Sequence, residues 1–107
     1  MQLEIDVALV LSPSGEVRFR YQRVRGASGD WVRHGLFVSF HDNGRVAQEG
    51  VYEEGMETGT WRDFHANGQL ASEGNYLRGR EQGLWRFWDE SGAAQPSLVY
   101  AHGVEIC

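Results

Sequence analysis

A 24-residue period running through the last two thirds of the chain constrains its fold most, because a unit that short buries no core alone and must stack on its neighbours. Gly35, Gly59 and Gly83 line up, followed by Phe37, Trp61 and Trp85, then by Phe40, Phe64 and Trp88. Asn43-Gly44, Asn67-Gly68 and Ser91-Gly92 come next, then Val46, Leu70 and Ala94. Each unit closes on Tyr52, Tyr76 or Tyr100, with Gly55, Gly79 or Gly103 three residues later. With 14 Gly against 2 Pro in 107 residues, the chain is rich in turns rather than long helices.

Each unit reads as a hairpin. An aromatic strand such as Gly59 to His65 meets a turn at Asn67-Gly68 and returns along Gln69 to Tyr76. Asn-Gly is expected to supply the positive φ angles of a tight hairpin turn. Glu54-Gly55 and Arg78-Gly79 are expected to lead into a few polar residues before the next Gly opens the following strand. Short connections make consecutive strands antiparallel neighbours. The fold class is therefore all-β: tandem antiparallel hairpins forming one elongated twisted sheet.

Period-2 alternation puts Leu70, Ser72, Gly74 and Tyr76 on one face of the returning strand and Ala71, Glu73 and Asn75 on the other. Gly50 and Gly74 are expected to leave slots for large rings from the adjacent strand. Trp61 and Phe64, an odd number apart, face opposite sides unless a bulge intervenes, and alternation alone does not settle which. Trp61, Trp85 and the Tyr column are assigned to the core.

The N-terminal part fits the period poorly. Val7 to Val17 with the turn Ser12-Pro13-Ser14-Gly15 resembles half a unit, and Val17, Phe19 and Tyr21 alternate with Arg18 and Arg20. Gly15 lies 29 residues before Gly44, so extra residues fall within Gln22 to Arg33. The expected divisions are a cap hairpin and loop over 1–34, with Gly26 to Asp30 as the loop. Units follow at 35–58, 59–82 and 83–107, the last ending in an edge strand, all within one domain.

The pattern Gly-x-Trp-x-x-Phe-x-x-Asn-Gly-x-Leu-x-x-Glu-Gly-x-Tyr-x-x-Gly, clearest over residues 59 to 79, resembles the MORN repeat, and more closely its bacterial, antitoxin-like variant. The resemblance covers about residues 35 to 103. In the third unit Gln95-Pro96-Ser97 breaks the Glu-Gly pattern of Glu49-Gly50 and Glu73-Gly74, and Pro predicts an edge or bulge there. The resemblance implies a sheet that binds proteins or, in some eukaryotic members, membranes, and it carries no catalytic residues.

The residues themselves argue against an enzyme. All 10 cations are Arg, which excludes Schiff-base and P-loop lysine chemistry. His41, His65 and Asp89 form a column, yet equivalent positions in stacked hairpins lie about 9 to 10 Å apart, too far for one metal ion. No metal or cofactor is expected. Glu49 and Glu73 share a similar separation, loosely that of an inverting hydrolase pair, but the repeat explains both. Ser91 is a turn residue. Cys107, the one cysteine, forms no intramolecular disulfide and is poorly placed as a nucleophile at the terminus.

Protein binding is the leading expectation, in the manner of an antitoxin or immunity protein that neutralises a toxin by covering its surface. Its candidate contacts are Trp88, Arg62, Arg86, His41, His65 and the acidic loop residues Glu53, Glu54 and Glu57, which suit a basic partner. The alternative is a peripheral phospholipid adaptor using Arg18, Arg20, Arg23 and Arg25 as an anionic-ligand patch. The net charge of −5 makes nucleic acid a poor first guess. Val7 to Leu11 is too short for a signal peptide or membrane span, so a soluble cytoplasmic protein is expected. The apolar stretch Val99 to Ile106 predicts a homodimer through the C-terminal edge strand.

Overall fold

Connections of two to five residues leave a strand no neighbour but the next strand in sequence, and that rule builds the whole molecule. The computed structural model describes residues 4 to 106. Its strands are β1 (Glu4–Leu11), β2 (Val17–Arg25), β3 (Trp31–Phe40), β4 (Val46–Glu53), β5 (Met56–Phe64), β6 (Leu70–Leu77), β7 (Arg80–Trp88), β8 (Ala94–Ala101) and β9 (Val104–Glu105). They form one antiparallel sheet in sequence order, β1 to β9, with extents of 46 × 37 × 16 Å. No second layer covers either face among the described residues. None of them forms a helix long and apolar enough to cross a membrane.

The two ends of the hairpins use different turns, and their assignment corrects the reading of Asn-Gly. At the Asn-Gly end the His65 and Gln69 backbones close the loop, and the Gly68 N–H donates to the His65 carbonyl at 2.9 Å. Only Gly68 has positive φ (92°), while Asn67 does not. This is a type I turn followed by a left-handed Gly, a three-residue loop. The primed two-residue turns lie at the other end, where Glu54 (φ 50°), Arg78 (φ 51°) and His102 (φ 52°) each precede a positive-φ Gly. Glu53 pairs with Met56 and Leu77 with Arg80 across these turns, so no polar connection intervenes and β5 and β7 start earlier than expected. Gly35, Gly59 and Gly83 therefore sit inside strands, at positive φ, beside irregularities in the ladder.

The register shifts have one consequence for packing. Between Thr58 and Arg62, three residues of β5 face the single Gly50 of β4, and β7 repeats this opposite Gly74. The Trp61 ring lies across Gly50 so closely that a Cβ there would sit 2.1 Å from it, and Trp85 lies the same way on Gly74, at 2.0 Å. The indole N–H groups donate to the Val51 carbonyl (3.1 Å) and the Asn75 carbonyl (3.2 Å). The slot reading of both glycines is thereby explained. Leu98 takes the equivalent place opposite Trp85 on β8, and no ring from a following strand lies across it among the described residues.

Trp61 joins a ladder of rings, one per strand from β2 to β8: Phe19, Phe37, Tyr52, Trp61, Tyr76, Trp85 and Tyr100. Most neighbours meet edge to face, from 5.1 Å (Tyr52–Trp61) to 6.3 Å (Trp85–Tyr100) between centroids. Such contacts contribute roughly 0.5–1.5 kcal/mol each beyond buried area. Among the described residues, Phe37, Trp61 and Trp85 are the buried hydrophobic ones, at 5, 3 and 7% exposure, so this ladder is the core. Phe64 pairs with Leu70 beyond an irregularity whose extra residue, Ala71, lies on β6. Strand β5 keeps its alternation there, and Phe64 faces away from Trp61.

Pro96 sits where the β7–β8 register shifts, with Pro96 and Ser97 spanning the single Arg86. Strand β8 runs through it, and a proline at that bulge removes no regular ladder donor. In the N-terminal part, Arg25 pairs with Trp31 across the loop 26–30, where the repeats have two-residue turns. The extra length is thus a longer loop plus one more residue on each strand.

Candidate functional site

A one-layer sheet gives every strand two exposed surfaces, here a ring face and an open face. The open face carries a row of direct cross-strand partners: Leu9, Arg20, Val38, Glu49, Arg62, Glu73 and Arg86. Charges alternate along its second half. Arg62 Nε donates to Glu73 at 2.6 Å and its Nη1 lies 3.9 Å from Glu49, so one guanidinium holds both carboxylates. That arrangement is an ion-pair relay; the space an inverting hydrolase needs for water and substrate between Glu49 and Glu73 is filled by Arg62. Arg86 pairs with Glu73 in register but makes no ion pair among the described residues. Arg62 and Arg86 line one groove with Thr60, Glu73, Asn75 and Leu84. Trp88, two residues along β7 from Arg86, is on the same face by alternation and is half-buried.

The histidines lie at the three-residue turns, away from that groove. His41 Nε2 bonds the Phe64 carbonyl at 2.6 Å, and His65 Nε2 bonds the Trp88 carbonyl at 2.8 Å. Asn43 Nδ2 donates to the Ala66 carbonyl (2.6 Å) and Asn67 Nδ2 to the Glu90 carbonyl (2.8 Å). Each turn is thus clamped to the next by a His and an Asn. The period places His41 and His65 in one column without giving either a partner, and the joint recurrence of His and Asn two residues apart is the signal of this clamp. The series ends on Asp89, whose Oδ1 accepts from the Ser91 hydroxyl at 2.6 Å and from the Ser91 and Ala93 N–H groups. The Ser91 hydroxyl and the Ala93 N–H hold the Asp89 carboxyl below the usual carboxylate range.

Glu53, Glu54 and Glu57 gather at the opposite, two-residue-turn end with Met56, Thr58, Leu77 and Arg78. The structure therefore sorts the candidate contacts into three places: Arg62, Arg86 and Trp88 on the open face, the histidines at one end and the glutamates at the other.

The four N-terminal arginines do not form one patch. Arg18 and Arg20 point to the open face and Arg23 and Arg25 to the ring face, because residues an odd number apart alternate. Arg18 is paired with Asp42, Arg25 with Glu4, and Arg23 with Asp6 through Nε (3.1 Å) and Nη2 (2.8 Å). The Arg23 hydrogen bonds hold the Asp6 carboxyl below its ordinary value. The Trp31 ring carries Arg23 at 4.4 Å and Arg25 at 4.8 Å, and Arg33 stands over Tyr21 (4.8 Å) and Tyr52 (5.4 Å). These cation–π contacts tie the cap hairpin to the ring ladder. Cys107 lies outside the described residues.

Both the slot glycines and the ring ladder recur in the two central units. Residues 33–54 and 57–77 match the MORN repeat variant. Each matched MORN segment holds one bulge Gly, one ladder aromatic, one slot Gly and one ladder Tyr: Gly35, Phe37, Gly50 and Tyr52 in the first, and Gly59, Trp61, Gly74 and Tyr76 in the second. The matched segments thus contain the residues that make this sheet close on its rings. No curated protein and no solved structure matches the chain.

Proposed function

We propose that the chain is a non-catalytic protein-binding repeat module whose contact surface is the open face around Arg62, Leu84, Arg86 and Trp88. The observation that carries this reading is the groove where an ion-pair row ends on Arg86 without a carboxylate of its own, beside the exposed Leu84. Arg and Trp are the residue types that anchor protein interfaces, and an unspent guanidinium next to apolar surface suits an acidic group on the partner. The acidic cluster Glu53, Glu54 and Glu57 lies at the sheet's end, where it suits a basic rim contact. An antitoxin or immunity role, neutralising the partner by covering its surface, is the form of this activity that the MORN-like pattern favours.

The lipid alternative draws less support, since Arg18, Arg23 and Arg25 already hold carboxylates. Affinity capture of the tagged chain from cells of its own source, followed by mass spectrometry, tests the proposal. A stoichiometric partner retained by the wild type and lost with Arg86→Glu plus Leu84→Arg is the expected result. Equal retention by the double variant refutes this surface, and flotation with anionic vesicles without any retained protein favours the lipid reading.

A further inference from the structure

An open sheet has two edges, and this one treats them differently. The C-terminal edge is blunted: β9 has two residues, pairing only with Tyr100 and Ala101, and β8 carries Pro96 at a register shift. Among the described residues, the N-terminal edge has none of these devices. Strand β1 runs for eight residues, Glu-Ile-Asp-Val-Ala-Leu-Val-Leu, without Pro or a cation, and among the described residues it pairs with β2 alone. Its register with β2 is unbroken from Glu4 to Val10.

The hydrogen-bonding side of β1 follows from the turn. The Ser12 N–H donates to the Glu16 carbonyl, toward β2. Backbone groups alternate along an antiparallel strand, so those of Ile5, Val7 and Leu9 point away from β2 into the open. The side chains of the same three residues share the open face of the sheet and stand 75, 42 and 55% exposed. They form a row of aliphatic groups above a row of unpaired N–H and C=O groups.

We infer that β1 pairs with β1 of a second copy, antiparallel about a two-fold axis at Val7, so that two sheets become one. In that register Ile5 lies opposite Leu9 of the second copy and Val7 opposite Val7, an aliphatic set closed on itself. On the ring face Asp6 lies opposite Ala8 and Glu4 opposite Val10, so no carboxylate meets another. Both carboxylates are already held from behind by Arg23 and Arg25, which removes the charge repulsion that acidic residues otherwise supply at an edge. About six backbone hydrogen bonds form across the junction, two at each of three narrow pairs. Self-complementarity under a two-fold axis is the requirement of an isologous dimer, and it selects a second copy over an unrelated strand.

The test is sedimentation equilibrium of the full chain with amide hydrogen exchange on the same samples. The expected mass is about twice the 12.1 kDa of one chain, with the Ile5 and Leu9 amides slowed at least about tenfold relative to a dilute, dissociated sample. Leu9→Arg is expected to give a monomer with unchanged near-ultraviolet circular dichroism from the Trp ladder, while Val99→Arg near the C-terminal edge stays dimeric. A wild-type monomer at high concentration, or a dimer whose Ile5 and Leu9 amides exchange freely, overturns the assignment. Because the exchange readout needs no variant, it decides the matter even if Leu9→Arg does not fold.

Discussion

Gly74 and Arg78 show how single residues carry this fold. A methyl group at Gly74 meets Trp85 ring atoms at 2.0 to 2.5 Å, and the ring has no second place to go because its N–H is bonded to the Asn75 carbonyl. Gly74→Ala is therefore expected to cost about 1–3 kcal/mol in urea unfolding, as overpacking does. Arg78 stands in the left-handed region at φ 51°, which costs a non-Gly, non-Asn residue about 1 kcal/mol. Arg78→Asn creates the Asn-Gly pair that a primed turn prefers and is expected to raise stability by about 0.5–1 kcal/mol in the same measurement. Tyr76 adds a pH dependence. Burial, with Glu81 and Glu57 nearby, pushes its phenol up to about 12 from 10.0. The unfolded chain loses that proton first, so the contribution is whole below pH 10 and declines as pH rises from 10 to 12. Tyr76→Phe is expected to flatten that alkaline decline in a pH series of melting curves.

At the scale of the element, the hairpins were legible and their turns only in part. The columns at period 24 located every strand from β3 to β8, because ring and glycine spacings fix which residues can lie opposite one another. Asn-Gly marked a turn but not its type, since the same dipeptide serves a primed turn and a type I turn closed by a left-handed Gly. What decides is the neighbour: Asn67 spends its side chain on the Gln69 N–H and on the next turn's Glu90 carbonyl, roles that need it at negative φ. Asn67→Ala is expected to cost about 1 kcal/mol, more than Ser91→Ala at the end of the series, where no further turn is clamped. The open-face groove was legible as residue types, with Arg62, Arg86 and Trp88 singled out. Its coherence came from cross-strand register, which sets Arg62 and Arg86 on either side of Glu73, whereas the N-terminal arginines divide between faces by plain period-2 alternation along β2.

For the whole molecule, the absence of a second layer over the described residues sets the energetics. Stability comes from neighbour-to-neighbour contacts along the ring ladder and the turn clamps, not from a central core, and each unit adds the same interface again. The matched MORN segments supply that interface twice, and the third unit continues it through Trp85 to Tyr100. Such a sheet leaves its open face and its β1 edge available for partners while its own folding rests on the ring face. Duplicating residues 59–82 in place tests this account most directly, since Gly83 would then follow a second copy of the interface it already meets. One cooperative urea transition with a higher midpoint and a steeper slope is expected, as two more strands and one more Trp slot join the ladder. A separate second transition, or a midpoint at or below that of the wild type, would contradict it.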